Sequence, residues 1–277
     1  MKKTHIIIIV VLAVAVILGL IIGLSSKGAM FVSTGNIGVI EIEGVISSSK
    51  RTVRDIKQFT EDPNIQGIIV RVDSPGGGVA ASQEIYEELK KCRAQKKVVV
   101  SMGALAASGG YYVSLPADLI VANPGTITGS IGVIMQFPIF EELMKKIGIN
   151  YEVIKSKEHK DIGSPFRKMD EKERKLLQDV VTDVYEQFVQ ATCEARNLPR
   201  DSVLKFADGR IITGSQAKKL GLVDTLGSFE DAVKIIGDML GIPKPNLIYP
   251  QKRLSLIELL TEPVEQILIP KIFYLWQ

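Results

Sequence analysis

Three glycine-rich turns of this sequence contain its candidate functional residues. The first, Asp73–Gly78, reads Asp-Ser-Pro-Gly-Gly-Gly. Glycines let a backbone come close to a ligand and let its N–H groups point outward. Such a turn can serve as an amide cradle for an oxygen that becomes negatively charged during a reaction.

The glycine spacing of residues 76–81 also fits a dinucleotide-binding turn. That motif needs an acidic residue near the end of the next strand, to hold a ribose. The next strand ends in Val98–Ser101 and has no acid there. The sequence also has no P-loop motif for a nucleoside triphosphate. The amide cradle is therefore the favoured interpretation.

The second turn, Met102–Tyr112, places a serine directly before two glycines. Ser108 precedes Gly109 and Gly110 at the predicted start of a helix. A helix N-terminus leaves N–H groups without partners and adds positive potential, so a hydroxyl there could act as a nucleophile. A serine that only caps the helix is the simpler alternative, and position alone favours it.

A serine nucleophile needs a base, and histidine is scarce in this sequence, at positions 5 and 159. His5 precedes the apolar N-terminal run, so His159 is the histidine that could reach Ser108. Its neighbour Lys160 is the other candidate, although a lysine base must have its pKa lowered from about 10.4 to roughly 7–8. In extended backbone, neighbouring side chains point to opposite faces, so only one of the two could act. The residues alone leave the choice open, with a solvated run of charges as a further alternative.

The third turn, Asn123–Val133, adds the hydroxyl of Ser130. This hydroxyl could hold the amine of a lysine base in place. It could equally well satisfy the backbone of a turn.

The secondary-structure elements predicted around these turns alternate between strand and helix. Strands are predicted at residues 36–46, 65–73, 97–101 and 119–122, and helices at 51–60, 79–94 and 106–115. A strand at 151–155, a helix at 170–196 and a helix–strand unit at 214–224 follow. This alternation implies parallel strands and a layered α/β fold.

Composition excludes several classes of protein. The chain has 277 residues, with 34 Lys and Arg against 31 Asp and Glu, so its net charge is only +3. That balance does not favour a nucleic-acid-binding protein. A hydrophobic content of 46% is too high for a disordered chain. Two cysteines, Cys92 and Cys193, are too few for a disulfide framework or a cysteine zinc site.

The N-terminus holds an uncharged run from residue 6 to residue 24. As a helix it would be roughly 28 Å long, close to the hydrocarbon thickness of a bilayer. Lys2 and Lys3 precede it, which predicts a cytoplasmic N-terminus. A cleaved signal peptide is the alternative, but the run exceeds the usual apolar core of one. The predicted organisation is an N-terminus and anchor at 1–27, an extracytoplasmic domain at 28–250 and an apolar C-terminal tail at 251–277.

In combination, these segments resemble the bacterial signal peptide peptidase A family of membrane-anchored Ser-Lys proteases, in its short, single-copy form. The resemblance extends from residue 36 to about residue 226. It implies a Clp protease/crotonase-like layered α/β fold of repeated β-β-α units, preceded by a transmembrane helix. The matching blocks are the anchor, Asp73–Gly78, Ala107–Tyr112, Thr128–Val133 and Lys160–Pro165.

The resemblance also implies a role for each candidate residue. Ser108 is the implied nucleophile, Lys160 the general base and Ser130 the hydroxyl that orients the lysine. The base is thereby assigned to Lys160 rather than to His159. The implied oxyanion hole consists of backbone N–H groups, those of Gly76, Gly77 and Gly109.

The implied substrates are remnant signal peptides and other unfolded peptides, hydrolysed without a metal or an organic cofactor. The implied assembly is a homo-oligomeric ring or dome, in which Ser108 of one subunit and Lys160 of its neighbour complete a site. The catalytic domain would lie outside the cytoplasm, tethered to the cell membrane by one pass. The alternatives are a crotonase-type acyl-CoA enzyme and a non-catalytic membrane scaffold. The tail could contact the membrane, enter a neighbouring peptide groove or pack as a helix.

Overall fold

The computed structural model describes residues 37–250 and, as backbone, Phe273–Leu275. The anchor predicted at residues 6–24 and most of the C-terminal tail lie outside these residues. Within the described part of the chain, no helix has the length and apolar character needed to cross a membrane. The anchor therefore stays a prediction from the sequence.

A mostly parallel sheet occupies the centre of the described chain. Its strands run in the order β7-β6-β4-β2-β1-β9, and β5 joins β4 to β8. β4 pairs in parallel with β2, β5 and β6, and β7 alone among these pairs runs antiparallel, against β6. The strands are β1 Ile37–Glu43, β2 Gly67–Ser74, β3 Gly76–Gly78, β4 Lys97–Ala107, β5 Leu119–Ala122, β6 Ile127–Gly129, β7 Ile211–Thr213, β8 Thr225–Leu226, β9 Leu247–Ile248 and β10 Phe273–Leu275.

Helices cover both faces of this sheet. They are α1 Lys50–Glu61, α2 Val79–Arg93, α3 Gly109–Ser114, α4 Glu141–Lys146, α5 Glu171–Arg196, α6 Arg200–Leu204, α7 Gly214–Lys219 and α8 Phe229–Leu240, with a 3-10 turn at Glu158–Asp161. Alternate residues of β2 show the two layers. Ile68 and Val70 join the large core beneath α1, α2, α3 and α5, whereas Ile69 packs with Ile236 of α8 on the other face. The predicted layered α/β fold is confirmed.

Three predicted elements differ from the structure. β4 continues to Ala107 instead of ending at residue 101, because its second half pairs with β6. The helix predicted from residue 106 therefore begins only at Gly109. The strand predicted at 151–155 is wrong, since these residues are exposed and pair with no strand of the described chain. A β-branched pattern does not form a strand without a neighbouring strand to supply its hydrogen bonds.

Candidate active site

Two neighbouring strands of the sheet, β4 and β6, are each followed directly by one of the two candidate serines. In the parallel pair of β4 and β6, Ala107 lies opposite Gly129, and the next residues are Ser108 and Ser130. The Ser108 N–H donates to the Gly129 carbonyl at 2.8 Å. Neighbouring strands lie roughly 5 Å apart. The structure therefore places Ser108 and Ser130 side by side at one edge of the sheet.

Both serines have backbone conformations that residues with a side chain rarely adopt. Ser108 has φ 53° and ψ −118°, and Ser130 has φ 51°. The surrounding chain holds them there, since Ser108 accepts the Tyr112 N–H at 2.9 Å and the Ser130 N–H donates to Arg210 at 2.8 Å. Such conformations cost about 1–3 kcal/mol each and cluster at functional sites. Ser108 is 1% exposed and Ser130 is 6% exposed.

The first glycine turn lies against the start of α3. A Cβ added to Gly109 would be 3.1 Å from the Cα of Gly76 and 3.1 Å from the N of Gly77. Only glycine permits this approach. Gly109 is the first residue of α3, and its N–H has no acceptor among the residues that the structure describes. The predicted nucleophile and the predicted amide cradle thus meet at one place.

The three glycine N–H groups of the implied oxyanion hole are not equivalent. The Gly76 N–H already donates to the hydroxyl of Ser74 at 3.1 Å. Ile46 bonds to the chain on both sides of Gly77, donating to the Gly76 carbonyl and accepting the Gly78 N–H. Because backbone groups alternate in direction along a strand, the Gly77 N–H points away from Ile46. The Gly77 N–H therefore faces the other edge of β3, where a paired strand or, once that strand leaves, a ligand oxygen could accept it.

Asp73, the first residue of the glycine turn, has a structural role that was not predicted from the motif. Its carboxylate accepts the N–H groups of Ala104 and Leu105, each at 3.2 Å. A Cβ on Gly103 would lie 2.4 Å from the same carboxylate. Asp73 thereby fixes the middle of β4, just before the half that leads to Ser108. An acid at the first position of the glycine turn was the signal that could have revealed it.

The open edge of β3 carries another strand of the same chain. β10 runs antiparallel to it, with Phe273 opposite Gly78, Tyr274 opposite Gly77 and Leu275 opposite Gly76. The backbone of the glycine turn thus pairs with an extended segment directly beside Ser108.

Lys160 lies apart from this cluster in its contacts. It occupies the exposed 3-10 turn at Glu158–Asp161. Its amine makes no hydrogen bond or ion pair with any residue that the structure describes. His159 is also exposed, and its Nε2 lies 4.0 Å from the carboxylate of Glu158. Within one chain, the structure therefore joins Ser108 to Ser130 and the glycines, but not to Lys160.

An ion-pair network holds the turn that carries Lys160. Arg167 donates to both carboxylate oxygens of Asp161, at 2.8 and 2.9 Å, and to those of Glu173 at 2.5 and 2.7 Å. Lys155 binds Asp161 from the other side at 2.6 Å. Hydrogen bonds from Arg167 and Lys155 lower the pKa of Asp161 well below its usual range, and the bond from Arg167 lowers the pKa of Glu173. Glu173 lies at the start of α5, so the network ties the turn to that helix.

Replacing Arg167 with glutamine should release this turn. The family resemblance implies that this turn carries the general base, and misplacing such a group by about 1 Å can cost 10²-fold, so we expect kcat to fall at least tenfold. The lowered carboxylate pKa values stabilise the fold at neutral pH, and this contribution is lost as pH falls below about 4. The unfolding temperature of the variant should accordingly depend less on pH in the acid range, as measured by circular dichroism.

The control is Arg200→Gln. Arg200 forms a similar pair with Glu186 at 2.7 Å, with both side chains more than 40% exposed. Exposed pairs contribute little, so this variant should keep its kcat. Equal losses in both variants would contradict the positioning role of Arg167.

The segment before the turn exposes an unusual number of apolar side chains. We call residues 139–154 the arm. Eight apolar side chains of the arm are between 40% and 97% exposed, and an exposed patch of this kind marks an interaction site. They are Ile139, Phe140, Leu143, Ile147, Ile149, Tyr151, Val153 and Ile154.

Comparison with known proteins identifies the family. The model of peptidase family S49 matches residues 90–241, and the Clp protease model matches residues 43–120. A protein from Synechocystis, described by name as a protease, is 45% identical over 204 residues, covering 73% of this chain and 74% of that protein. A ClpP1 variant from Listeria monocytogenes superimposes with a TM-score of 0.49 at 17% identity, over 71% of this chain and 94% of that one. The chain belongs to peptidase family S49 and is a peptidase.

Two further relatives carry more specific names. Protease 4 from Salmonella typhi is 34% identical over 238 residues, which cover 82% of this chain and 38% of that protein. The relative from Enterococcus faecium is named as a signal peptide peptidase SppA and is 40% identical over 179 residues, 64% of this chain and 52% of that protein. The family resemblance inferred from the sequence is confirmed.

Proposed function

We propose that this peptidase is a serine endopeptidase in which Ser108 is the nucleophile. The observation that carries the proposal is the position of Ser108, held at φ 53° directly before α3 and beside the glycine turn. The N–H groups of Gly77 and Gly109 border the same place. A nucleophilic hydroxyl next to backbone donors is what acyl transfer needs, because the donors stabilise the oxyanion of the tetrahedral intermediate.

The proposed base is Lys160 of a neighbouring subunit, with Ser130 as the hydroxyl that orients its amine. Two observations support a shared site. Lys160 is exposed and without a partner among the described residues, and the apolar arm that precedes it has no cover within the described chain. A second copy packed on the arm would bury these side chains and could bring Lys160 to Ser108 and Ser130. Exclusion of water at such a junction favours the neutral amine that a lysine base requires.

The reaction then follows in four steps. The neutral amine of Lys160 takes the proton of the Ser108 hydroxyl as its oxygen attacks a peptide carbonyl. The resulting oxyanion is held by the N–H groups of Gly77 and Gly109, and the loss of one such donor costs about 2.7–4 kcal/mol in other enzymes. Lys160 next protonates the leaving amine, which breaks the C–N bond. A water molecule, deprotonated by the same amine, finally attacks the carbonyl of the serine ester, and the ammonium of Lys160 returns its proton to the Ser108 oxygen as the C–O bond to that oxygen breaks.

The proposed substrates are extended, unfolded peptides, among them the remnants of cleaved signal peptides. The pairing of β10 with β3 supports an extended substrate, because it shows that the glycine turn can add a strand. Two observations support an active site at the outer surface of the cell membrane. One relative is named as a signal peptide peptidase, and residues 6–24 of this chain form an uncharged apolar run.

The proposal is tested by incubating the full chain with a fluorophosphonate probe and with a quenched signal-peptide substrate. Labelling should map to Ser108 and should block hydrolysis in proportion, because the probe and the substrate compete for one oxygen. Hydrolysis that continues after complete labelling of Ser108, or that is lost through labelling elsewhere, would overturn it.

The C-terminal strand gives a separate prediction. Ending the chain after Pro250 removes β10 and should raise kcat/KM for a short peptide about tenfold. The reason is that β10 occupies the edge of β3 in most molecules, and substrate binds only to the fraction in which this edge is free. Replacing Tyr274 with proline in the full chain should have a similar effect, since proline lacks the N–H that a strand ladder uses. The heptapeptide Lys-Ile-Phe-Tyr-Leu-Trp-Gln should inhibit the shortened chain competitively. An unchanged rate in both variants would show that the tail does not compete with substrate.

A further inference from the structure

Ser82 carries a hydroxyl whose surroundings the fold does not explain. It lies in the first turns of α2 and is 0% exposed. Its Oγ is a buried side-chain oxygen without a hydrogen-bond partner in the described structure. A buried polar group left unpaired costs about 1–3 kcal/mol. Such a group therefore needs an explanation.

Two other buried helical hydroxyls, those of Ser114 and Thr192, have the usual local partner. Ser114 donates to the Gly110 carbonyl at 2.7 Å, and Thr192 donates to the Phe188 carbonyl at 3.0 Å. Each of these acceptors lies four residues earlier in the same helix, as is common for serine and threonine. Ser82 makes no bond of this kind. Its hydroxyl is left able to donate to something that is not part of the fold.

The position of this hydroxyl indicates what it would donate to. A Cβ added to Gly109 would lie 2.8 Å from the Oγ of Ser82 and 3.1 Å from the N of Gly77. The two polar atoms therefore cannot be more than about 6 Å apart. Donors closer together than this upper limit can share one acceptor at the usual distance of roughly 3 Å from each. Gly109, whose own N–H has no acceptor among the described residues, lies against both atoms.

We propose that Ser82 is a third donor of the oxyanion hole, acting with the N–H groups of Gly77 and Gly109. This inference rests on the proposed function, because it needs Ser108 as the attacking group. The hydroxyl can rotate to suit the oxygen that forms. Because it is unpaired in the resting fold, its hydrogen bond is made only when the substrate oxygen is present. A donor of that kind stabilises the transition state more than the bound substrate.

The test compares Ser82→Ala with Ser114→Ala in the full chain. For Ser82→Ala we expect kcat to fall 10–100-fold with KM within twofold, because the lost bond belongs to the transition state. Its unfolding temperature should be unchanged or higher, since an unpaired buried hydroxyl is removed. Ser114→Ala loses a real hydrogen bond and should show the reverse, with a lower unfolding temperature and kcat within twofold. Ser82→Cys, which keeps a weak donor, should lie between Ser82→Ala and the native chain.

A peptide aldehyde, which forms a tetrahedral adduct on a serine, separates this role from packing. Its affinity should fall in Ser82→Ala by the same factor as kcat/KM, whereas the affinity of an unreactive product peptide should not change. If Ser82→Ala keeps full kcat while Ser108→Ala is inactive, Ser82 is not a donor and the proposed function stands. If Ser108→Ala retains hydrolysis, the proposed function and this inference fail together.

Discussion

Replacing Ser108 with alanine is expected to abolish peptide hydrolysis while the chain stays folded. In serine peptidases the loss of the nucleophile lowers kcat by about 10⁶-fold, because the covalent pathway is removed entirely. The Ser108 hydroxyl makes no hydrogen bond with a described residue, so its removal leaves no buried partner unsatisfied. The measurements are the rate of cleavage of a signal-peptide substrate and the unfolding temperature.

Ser108→Gly is the matched control for the backbone. Glycine adopts positive φ at little cost, so this variant should be as inactive as the alanine variant but more stable by about 1 kcal/mol. Together the two variants would show that the backbone strain at Ser108, with φ 53°, serves catalysis by its hydroxyl and does not contribute to folding. Residual activity in Ser108→Ala above a thousandth of the native rate would contradict its role as nucleophile.

Mixing Ser108→Ala chains with Lys160→Ala chains is expected to restore activity that neither has alone. If each site takes its serine from one subunit and its lysine from the next, random mixing in a closed ring leaves about a quarter of the sites intact. If both groups came from one chain, every site would lack one of them. The two chains should carry different affinity tags, so that mixed assemblies can be purified and their rate measured.

A second mixture makes this test quantitative. Native chains mixed equally with the double variant Ser108→Ala/Lys160→Ala should retain about a quarter of the native rate per site for a shared site, and about half for a site within one chain. Inactive mixtures of the two single variants, recovered by both tags, would reject the shared site. The lysine would then need to reach Ser108 within its own chain.

Much of the framework could be predicted from local patterns. Alternation of strands and helices indicated the layered fold, because burial on a sheet and on a helix leaves different periods in the sequence. The turns at Asp73–Gly78 and after residue 101 were recognised by their glycines, since only glycine permits such close approach of two backbones. These features depend on residues that are neighbours along the chain.

The site itself depended on contacts between distant parts of the chain. Nothing local indicated that β4 runs on to Ala107 or that Gly129 lies opposite it, because strand register is decided by pairing and burial across the sheet. Local sequence also did not indicate that the Gly76 N–H donates to Ser74, or that the hydroxyl of Ser82 is buried without a partner among the described residues.

The family, the layered fold and the serine that precedes Gly109 and Gly110 could all be inferred from the order of residues. The folded chain was needed to show that Ser108 and Ser130 stand side by side, and that Lys160 lies on an exposed turn without a partner among the described residues. This difference arises because residue types record which chemistry and which elements are available. Hydrogen bonds and burial between remote segments decide which of those groups meet.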